Sequence, residues 1–269
     1  MPINSFENRF IKFKVAGVNT KENFSGGLAA INRMLEKNLH GVNYFAVDRN
    51  DIKNLAECNA IHKFRLLDTT DEENLVKALT DADMIFVVAD EVWENINAVA
   101  LAAHCAKKIG VPVIFIAGGN FEDAEDELIF DALIKLPSKN FEFDSAKVVE
   151  NFVEAVTLDG QPKIDVKTFS EAMKNSGAIV GYGEREGKNS VVKAAKAALE
   201  HAETSAENFS AVKKILFNVT TSKGNFSLEE AQKLSNLFKR HAPQAEISFG
   251  FSIDDWLNTK VKFLIVASF

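Results

Sequence analysis

Only two cysteines occur in the 269 residues, Cys58 and Cys105, and they form no C-x-x-C pattern. That excludes a disulfide framework and a zinc knuckle, and it predicts two reduced, structural thiols. Basic charge is short as well: 31 Lys and Arg stand against 38 Asp and Glu, a net charge of −7. No broad positive field is available to draw in phosphate backbones or anionic lipids, so neither nucleic acid nor direct membrane binding is expected. No apolar run reaches the roughly 18 residues of a membrane helix, and the start "MPINSFENRF" lacks the basic flank and apolar core of a signal peptide. A cytoplasmic location is the expectation. Missing too are G-x-S-x-G, the Walker lysine motif and a G-x-G-x-x-G after a strand. His40, His62, His104, His201 and His241 have no partner at metal-ligand spacing, and no metal is expected.

What is present is an ordinary globular composition, 46% hydrophobic and 26% charged, long enough for one large or two modest cores. The first half alternates strand-like and helix-like segments, the pattern of a parallel sheet covered by helices. "FIKFKVAGV" reads as a strand and "GGLAAINRMLEKN" as a helix with Leu28, Ile31 and Leu35 on one face. "VNYFAVD" is the next strand, followed by a short irregular stretch and a helix near "DEENLVKALTDA". "DMIFVVA" and "VPVIFIAGG" are strands on either side of the helix "NINAVALAAHCAKKIG", which Gly110 closes. The layout is Rossmann-like over residues 1–143.

From Asp144 a connecting helix, "DSAKVVENFVEAV", leads to the polar turn "LDGQPKID", which places the connection at 144–160 and a smaller α+β domain at 161–269. In that second half "FSEAMKNSG", "SVVKAAKAALEHA" and "SLEEAQKLSNLFKRHAP" read as helices, the last opened by a capping box from Ser227 to Glu230. "AIVGYG", "KKILFNVT", "EISFGFSIDD" and "KVKFLIVASF" read as strands. "GYGEREG", Gly181 to Gly187, is glycine-rich but reads as a connector between strand and helix rather than a phosphate loop.

In this order the pieces resemble the FtsZ branch of the tubulin family. "GGLAAINRMLEKNLHGVNYFAVD" is similar to the family's first loop and helix, glycines then N-A-V-N-R-M, and the strand ending in N-T-D. "DADMIFVVA" resembles the strand entering the signature loop, and "FDALIKLPSKN" the segment V-D-T-L-I-V-I-P-N-D. "KKILFNVTTSKGNFSLEEAQKLSNLFKRHAP" and "KVKFLIVASF" resemble the G-V-L-V-N-I-T strand with its helix and the closing R-V-T-V-V-A-T strand. The resemblance implies a tubulin/FtsZ-like α/β fold, GTP as the family's ligand, and head-to-tail filaments.

The nucleotide-binding pieces depart from that pattern. Where the family has G-G-G-T-G-T-G this chain has "EVWENINA", which removes the glycines that let backbone N–H groups approach phosphate. If the following helix starts at Asp90, then Asp90, Glu91 and Glu94 fill its first turn with carboxylates that repel a triphosphate. The first loop stretches to "GVNTKENFSGG", with Asn23 and Phe24 in place of glycines, while Lys21 and the glycine pair leave a candidate anion site. Of the loop R-G-L-G-A-G-x-N-P only "RLLDTT" is in position, and I-P-N-D has become "LPSK", with Ser138 in place of the guanine-facing Asn. The loop N-x-D-x-x-D reads Lys163 to Thr168, so Asp165 is kept and Thr168 stands at the second acid. One acid cannot share general-base and metal-positioning work, and Asp165 serves equally as the N-cap of the helix through Ser170.

These departures predict an FtsZ/tubulin-like protein that has lost GTP binding and hydrolysis. No cofactor and no catalytic residue are expected, with Asp165 and Thr168 as a remnant of the catalytic loop and Gly17, Gly26, Gly27 and Asn32 as vestiges of the nucleotide site. Partners would be an FtsZ-like or other cytoskeletal protein, or a second copy of the chain, with no nucleic acid. The competing readings are a divergent GTPase with a rebuilt pocket that still polymerises, and a dinucleotide-binding α/β enzyme, which the missing fingerprint opposes. The sequence ends at Phe269 without the linker and tail peptide of FtsZ proteins.

Overall fold

The computed structural model describes residues 11–19, 26–49, 52–90, 96–119, 130–136, 139–173, 178–204, 206 and 208–269. Five largely apolar runs and one short polar one form a wholly parallel sheet: β1 (Phe13–Val18), β2 (Val42–Asp48), the polar β3 (His62–Arg65), β4 (Met84–Asp90), β5 (Val113–Gly118) and β6 (Ala132–Leu136). Strands β1 and β5 are buried at every residue, as strands covered by helices on both faces must be. Their order is β3-β2-β1-β4-β5-β6, so the winding reverses between β1 and β4. In such sheets the crevice beyond the C-terminal ends of those two strands is where ligands are bound.

The helices are α1 (Gly26–Leu35), α2 (Ile52–Glu57), α3 (Thr69–Leu79), α4 (Ile96–Lys107), α5 (Phe141–Thr157), α6 (Val166–Met173), α7 (Ser190–Thr204) and α8 (Leu228–His241). The stretch after β2, read from sequence as irregular, contains α2 and β3. Helix α5 begins at Phe141, three residues ahead of the sequence expectation, because Asn140 turns the chain through a left-handed conformation (φ 67°). The capping box is present as read: the Ser227 hydroxyl accepts from the Glu230 N–H at 3.2 Å, and the Glu230 carboxylate accepts from the Ser227 N–H at 3.0 Å.

A second sheet, β7 (Ile179–Arg185), β8 (Lys214–Thr221), β9 (Glu246–Ile253) and β10 (Val261–Ser268), runs in the order β7-β10-β8-β9. Strand β10 is antiparallel to both neighbours, and β8 and β9 are parallel. Gly181 and Gly183 belong to β7, where a Cβ would meet the Ala198 and Ala194 carbonyl oxygens of α7 at 2.0 and 2.3 Å, so these glycines serve sheet-on-helix packing.

The molecule is layered. Helices α3 and α4 cover one face of the first sheet through Leu75, Leu79, Val99 and Ala102. The other face shares one apolar layer with α1, α5, α6 and the near face of the second sheet, from Phe86 through Phe152 and Phe169 to Leu264 and Val266. Helices α7 and α8 cover the far face of the second sheet. Because α5 lies between two sheets, the charges it carries must find partners. Lys262 of β10, 6% exposed, donates to Glu150 at 2.8 Å and also to Glu154. Lys37, just beyond α1, lies 3.2 Å from Glu150, and Lys147 and Lys260 both hold Glu184. Burial pushes the Glu184 carboxyl upward, but the two ammonium groups outweigh it and hold it near about 2.

Candidate functional site

The upper rim of the first sheet is built around the start of α1. A Cβ at Gly27 would lie 2.2 Å from the Val18 carbonyl oxygen and 2.8 Å from that of Val88, and one at Gly17 would lie 2.4 Å from the Gly27 oxygen. The two glycines therefore let β1, β4 and α1 touch backbone to backbone, a packing duty that needs no ligand.

Asp90 is a strand residue and not the first residue of a helix, so the condition under which it would fill a helix's first turn is not met. Asp90 closes β4, held there by its pairing with Gly118 of β5. This extra strand residue turns the side chain toward α1. A Cβ at Gly26 would meet the Asp90 oxygens Oδ2 at 2.4 Å and Oδ1 at 3.1 Å, and Oδ1 is buried. Helix α1 has no acidic residue in its own first turn, and among the described residues the carboxylate beside Gly26 places a negative charge at its positive end. Glu91 and Glu94, with the rest of "EVWEN", lie outside the described residues, as do Lys21, Asn23, Phe24 and Ser138.

Beside α1 the ends of β1 and β2 hold a polar cluster that sequence reasoning did not single out. The Asp48 carboxylate, fully buried, accepts from the Asn19 amide at 2.8 Å and the Asn54 amide at 3.3 Å. Leu66 donates its N–H to the Asp48 carbonyl at 2.9 Å, which ties the chain after β3 to the same corner. Asn32 lies on α1 away from this rim: its side-chain oxygen accepts from the Asn59 N–H at 2.7 Å and its amide reaches the Glu57 carbonyl at 3.5 Å. The vestigial set is therefore split. Gly17, Gly26 and Gly27 converge with Asp90, and Asn32 fastens α1 to the end of α2.

Asp165 and Thr168 meet at the opposite end of the sheet. Asp165 Oδ1 accepts from both the N–H and the hydroxyl of Thr168, each at 2.7 Å, at the start of α6. Those two hydrogen bonds hold the Asp165 carboxyl below its usual range. Asp165 thus has the N-cap geometry. It borders an open groove of about 460 Å³ whose other walls are Ile11, Asp83 and Pro112, at the starts of β1, β4 and β5, and Val166, Lys167 and Ser170 of α6.

Both thiols are buried, and burial pushes them upward, Cys105 to about 11, which keeps them protonated and unreactive. Three of the histidines have separate neighbours: His62 stacks on Phe45, His201 packs edge-on against Tyr182, and His241 lies 2.6 Å from Glu203. Among the described residues no group of three potential ligands could hold a metal ion, and no helix is long and apolar enough to cross a membrane.

Residues 176–268 match the FtsZ family, C-terminal domain. The chain is 24% identical to the cell division protein FtsZ of Buchnera aphidicola subsp. Baizongia pistaciae, over 99% of this chain and 80% of the relative. It is 25% identical to a mitochondrial division protein of Dictyostelium discoideum, over 90% of this chain and 56% of that protein. Its fold superposes on FtsZ of M. jannaschii with a TM-score of 0.78 at 21% identity, covering 96% of this chain and 91% of the other. It superposes on a CetZ protein of Haloferax volcanii, solved as a GTPγS-bound protofilament, with a TM-score of 0.75 at 12% identity, covering 96% and 92%. With the layered two-sheet architecture and the reversal at β1 and β4, these matches support an FtsZ/tubulin-family protein, with the FtsZ C-terminal domain matched over residues 176–268.

Proposed function

We propose that this protein neither binds nor hydrolyses GTP and works through protein contacts in cell division or cytoskeletal assembly. The observation that carries the reading is the Asp90 carboxylate against Gly26, at the helix start where the resemblance would put a phosphate. A triphosphate entering there meets a like charge, at ~4 Å on the order of 1 kcal/mol per charge even in a water-like dielectric. The remaining loop acid, Asp165, is engaged with Thr168. Gly17, Gly26, Gly27 and Asn32 are then remnants of a nucleotide site, and Asp165 with Thr168 a remnant of a catalytic loop.

The partner in this reading is an FtsZ-like or other cytoskeletal protein, or a second copy of the chain. The Asp165 end is the face offered to it, since its groove is open and lined by apolar residues beside an exposed carboxylate and Lys167. A subunit with one competent end stops a head-to-tail polymer rather than extending it. Calorimetry with GTP and GDP is expected to give no binding heat; a dissociation constant tighter than ~10 µM, roughly 7 kcal/mol, defeats the reading. Light scattering of an assembling FtsZ with this protein at about one part in ten should show shortened polymer, relieved when Lys163 and Asp165 are both replaced by Ala. GTP-triggered polymerisation of this protein alone defeats the reading too.

A further inference from the structure

Asp90 does more than repel, and this inference rests on the GTP-free reading above. The residue sits in a socket cut from three elements. On one side Gly26 of α1 leaves the space its carboxylate fills, where a Cβ would come within 2.4 Å of Oδ2. On the other, a Cβ at Gly118 of β5 would lie 3.1 Å from the Asp90 Cβ, so a larger residue there would press directly on the Asp90 stem. The stem is fixed by the β4–β5 pairing of Asp90 with Gly118, and Oδ1 is buried against the helix start. A helix of ten residues with no acid in its own first turn is thereby supplied with a fixed anion from the neighbouring strand.

We infer that Asp90 is a tethered substitute for a bound phosphate: its carboxylate holds the start of α1 in place and plugs the upper rim, so the arrangement of β1, β4 and α1 is permanent and independent of any nucleotide. The consequence is a chain with no loaded and unloaded states at this rim.

The test is chemical rescue. Thermal unfolding of the wild type and Asp90→Ala is followed with inorganic phosphate and with chloride at matched ionic strength. The wild type should show no specific response to phosphate. Asp90→Ala, which keeps the Cβ but vacates the carboxylate space, should be less stable and should regain stability with phosphate, with an apparent affinity at least about tenfold above that of the wild type. An equal response in both proteins, or no phosphate response in Asp90→Ala, overturns the inference. Should Asp90→Ala fail to fold, Asp90→Asn keeps the shape and removes the charge; hydrogen exchange at the first-turn amides of α1 should then be faster than in the wild type, and unchanged exchange overturns the inference. The nucleotide reading fails separately, on GTP binding by the wild type.

Discussion

At the C-terminal ends of β1, β2 and β4 the polar side chains are turned toward the protein: Asp48 is bound by two asparagine amides and Asp90 lies against α1. At the N-terminal ends of β1, β4 and β5 an open groove lies between Ile11, Asp83 and Pro112 and helix α6, and the exposed Asp165 borders it, with its Oδ1 engaged by Thr168. On the proposed reading, the difference separates two fates of a binding surface on one frame. Acids whose charge is spent on the protein's own donors and helix ends have little left to offer a ligand, and glycines pressed backbone to backbone have no free N–H face to lend. An exposed N-cap keeps one oxygen and its net charge available to a partner.

The comparison breaks first at Gly27. If that glycine were spare, a relic held only for a departed phosphate, Gly27→Ala would leave stability unchanged. The geometry requires the opposite, because the new Cβ meets two carbonyl oxygens of strand backbone that cannot rotate away. Urea unfolding is expected to show a loss of about 3 kcal/mol, the upper range for overpacking. A loss below about 1 kcal/mol would mean that α1 can lift from the sheet and that the upper rim is open.

A second break lies at Asp48. Asp48→Ala deprives the Asn19 and Asn54 amides of a shared buried acceptor and should cost about 2 kcal/mol. The cost should be the same in the presence of magnesium and GTP, since the cluster is a structural corner. Nucleotide-dependent recovery would turn this end back into a ligand site.

Legibility followed the strength of the local signal. Strand β2 was readable residue for residue because five of its seven residues, Val42, Tyr44, Phe45, Ala46 and Val47, are apolar or β-forming and are bracketed by Gly41 and the polar Asp48. The capping box of α8 was readable because its chemistry is local. Helix α2 was not: six residues are too few for periodicity, and only Asn54 and Leu55 are buried. Strand β3, "HKFR", is an edge strand with charged residues, which alternation rules score as loop. At the rim, the acids of "ADEVWE" were visible, but not which element held Asp90; the helical reading lost to one more residue of pairing with β5. Asp48 was legible as the end of a strand, but not its burial or its two amide donors, because these depend on what packs over the strand end. The ion network around Lys262 left one trace in sequence, in that α5 carries Lys147, Glu150 and Glu154 among the apolar residues of its buried stretch Ala146–Val156.

The smallest effect is expected at the lower end, and it sharpens the contrast. Asp165→Ala removes the acceptor for the Thr168 N–H and hydroxyl, and loss of an N-cap costs about 1 kcal/mol. Its pH dependence has a definite sign. The folded carboxyl is depressed, first by the Thr168 backbone N–H and then by the Thr168 hydroxyl, both of which bind the ionised form. The native state therefore holds the proton less tightly than the unfolded chain. The stabilisation is complete above the unfolded value, about 3.9 for an aspartate, and is lost as pH falls through the lower folded value. Wild type and Asp165→Ala should thus differ in urea midpoint at pH 7 and converge as the pH is lowered into that window. In Thr168→Val, which keeps the N–H and loses the hydroxyl, the folded carboxyl should be less depressed, so its smaller advantage over Asp165→Ala should be fully lost at a higher pH than that of the wild type. A gap between wild type and Asp165→Ala that persists unchanged to the lowest pH at which both fold would show that the carboxylate charge is not what caps α6, and the lower rim would lose the ionised group that distinguishes it from the upper.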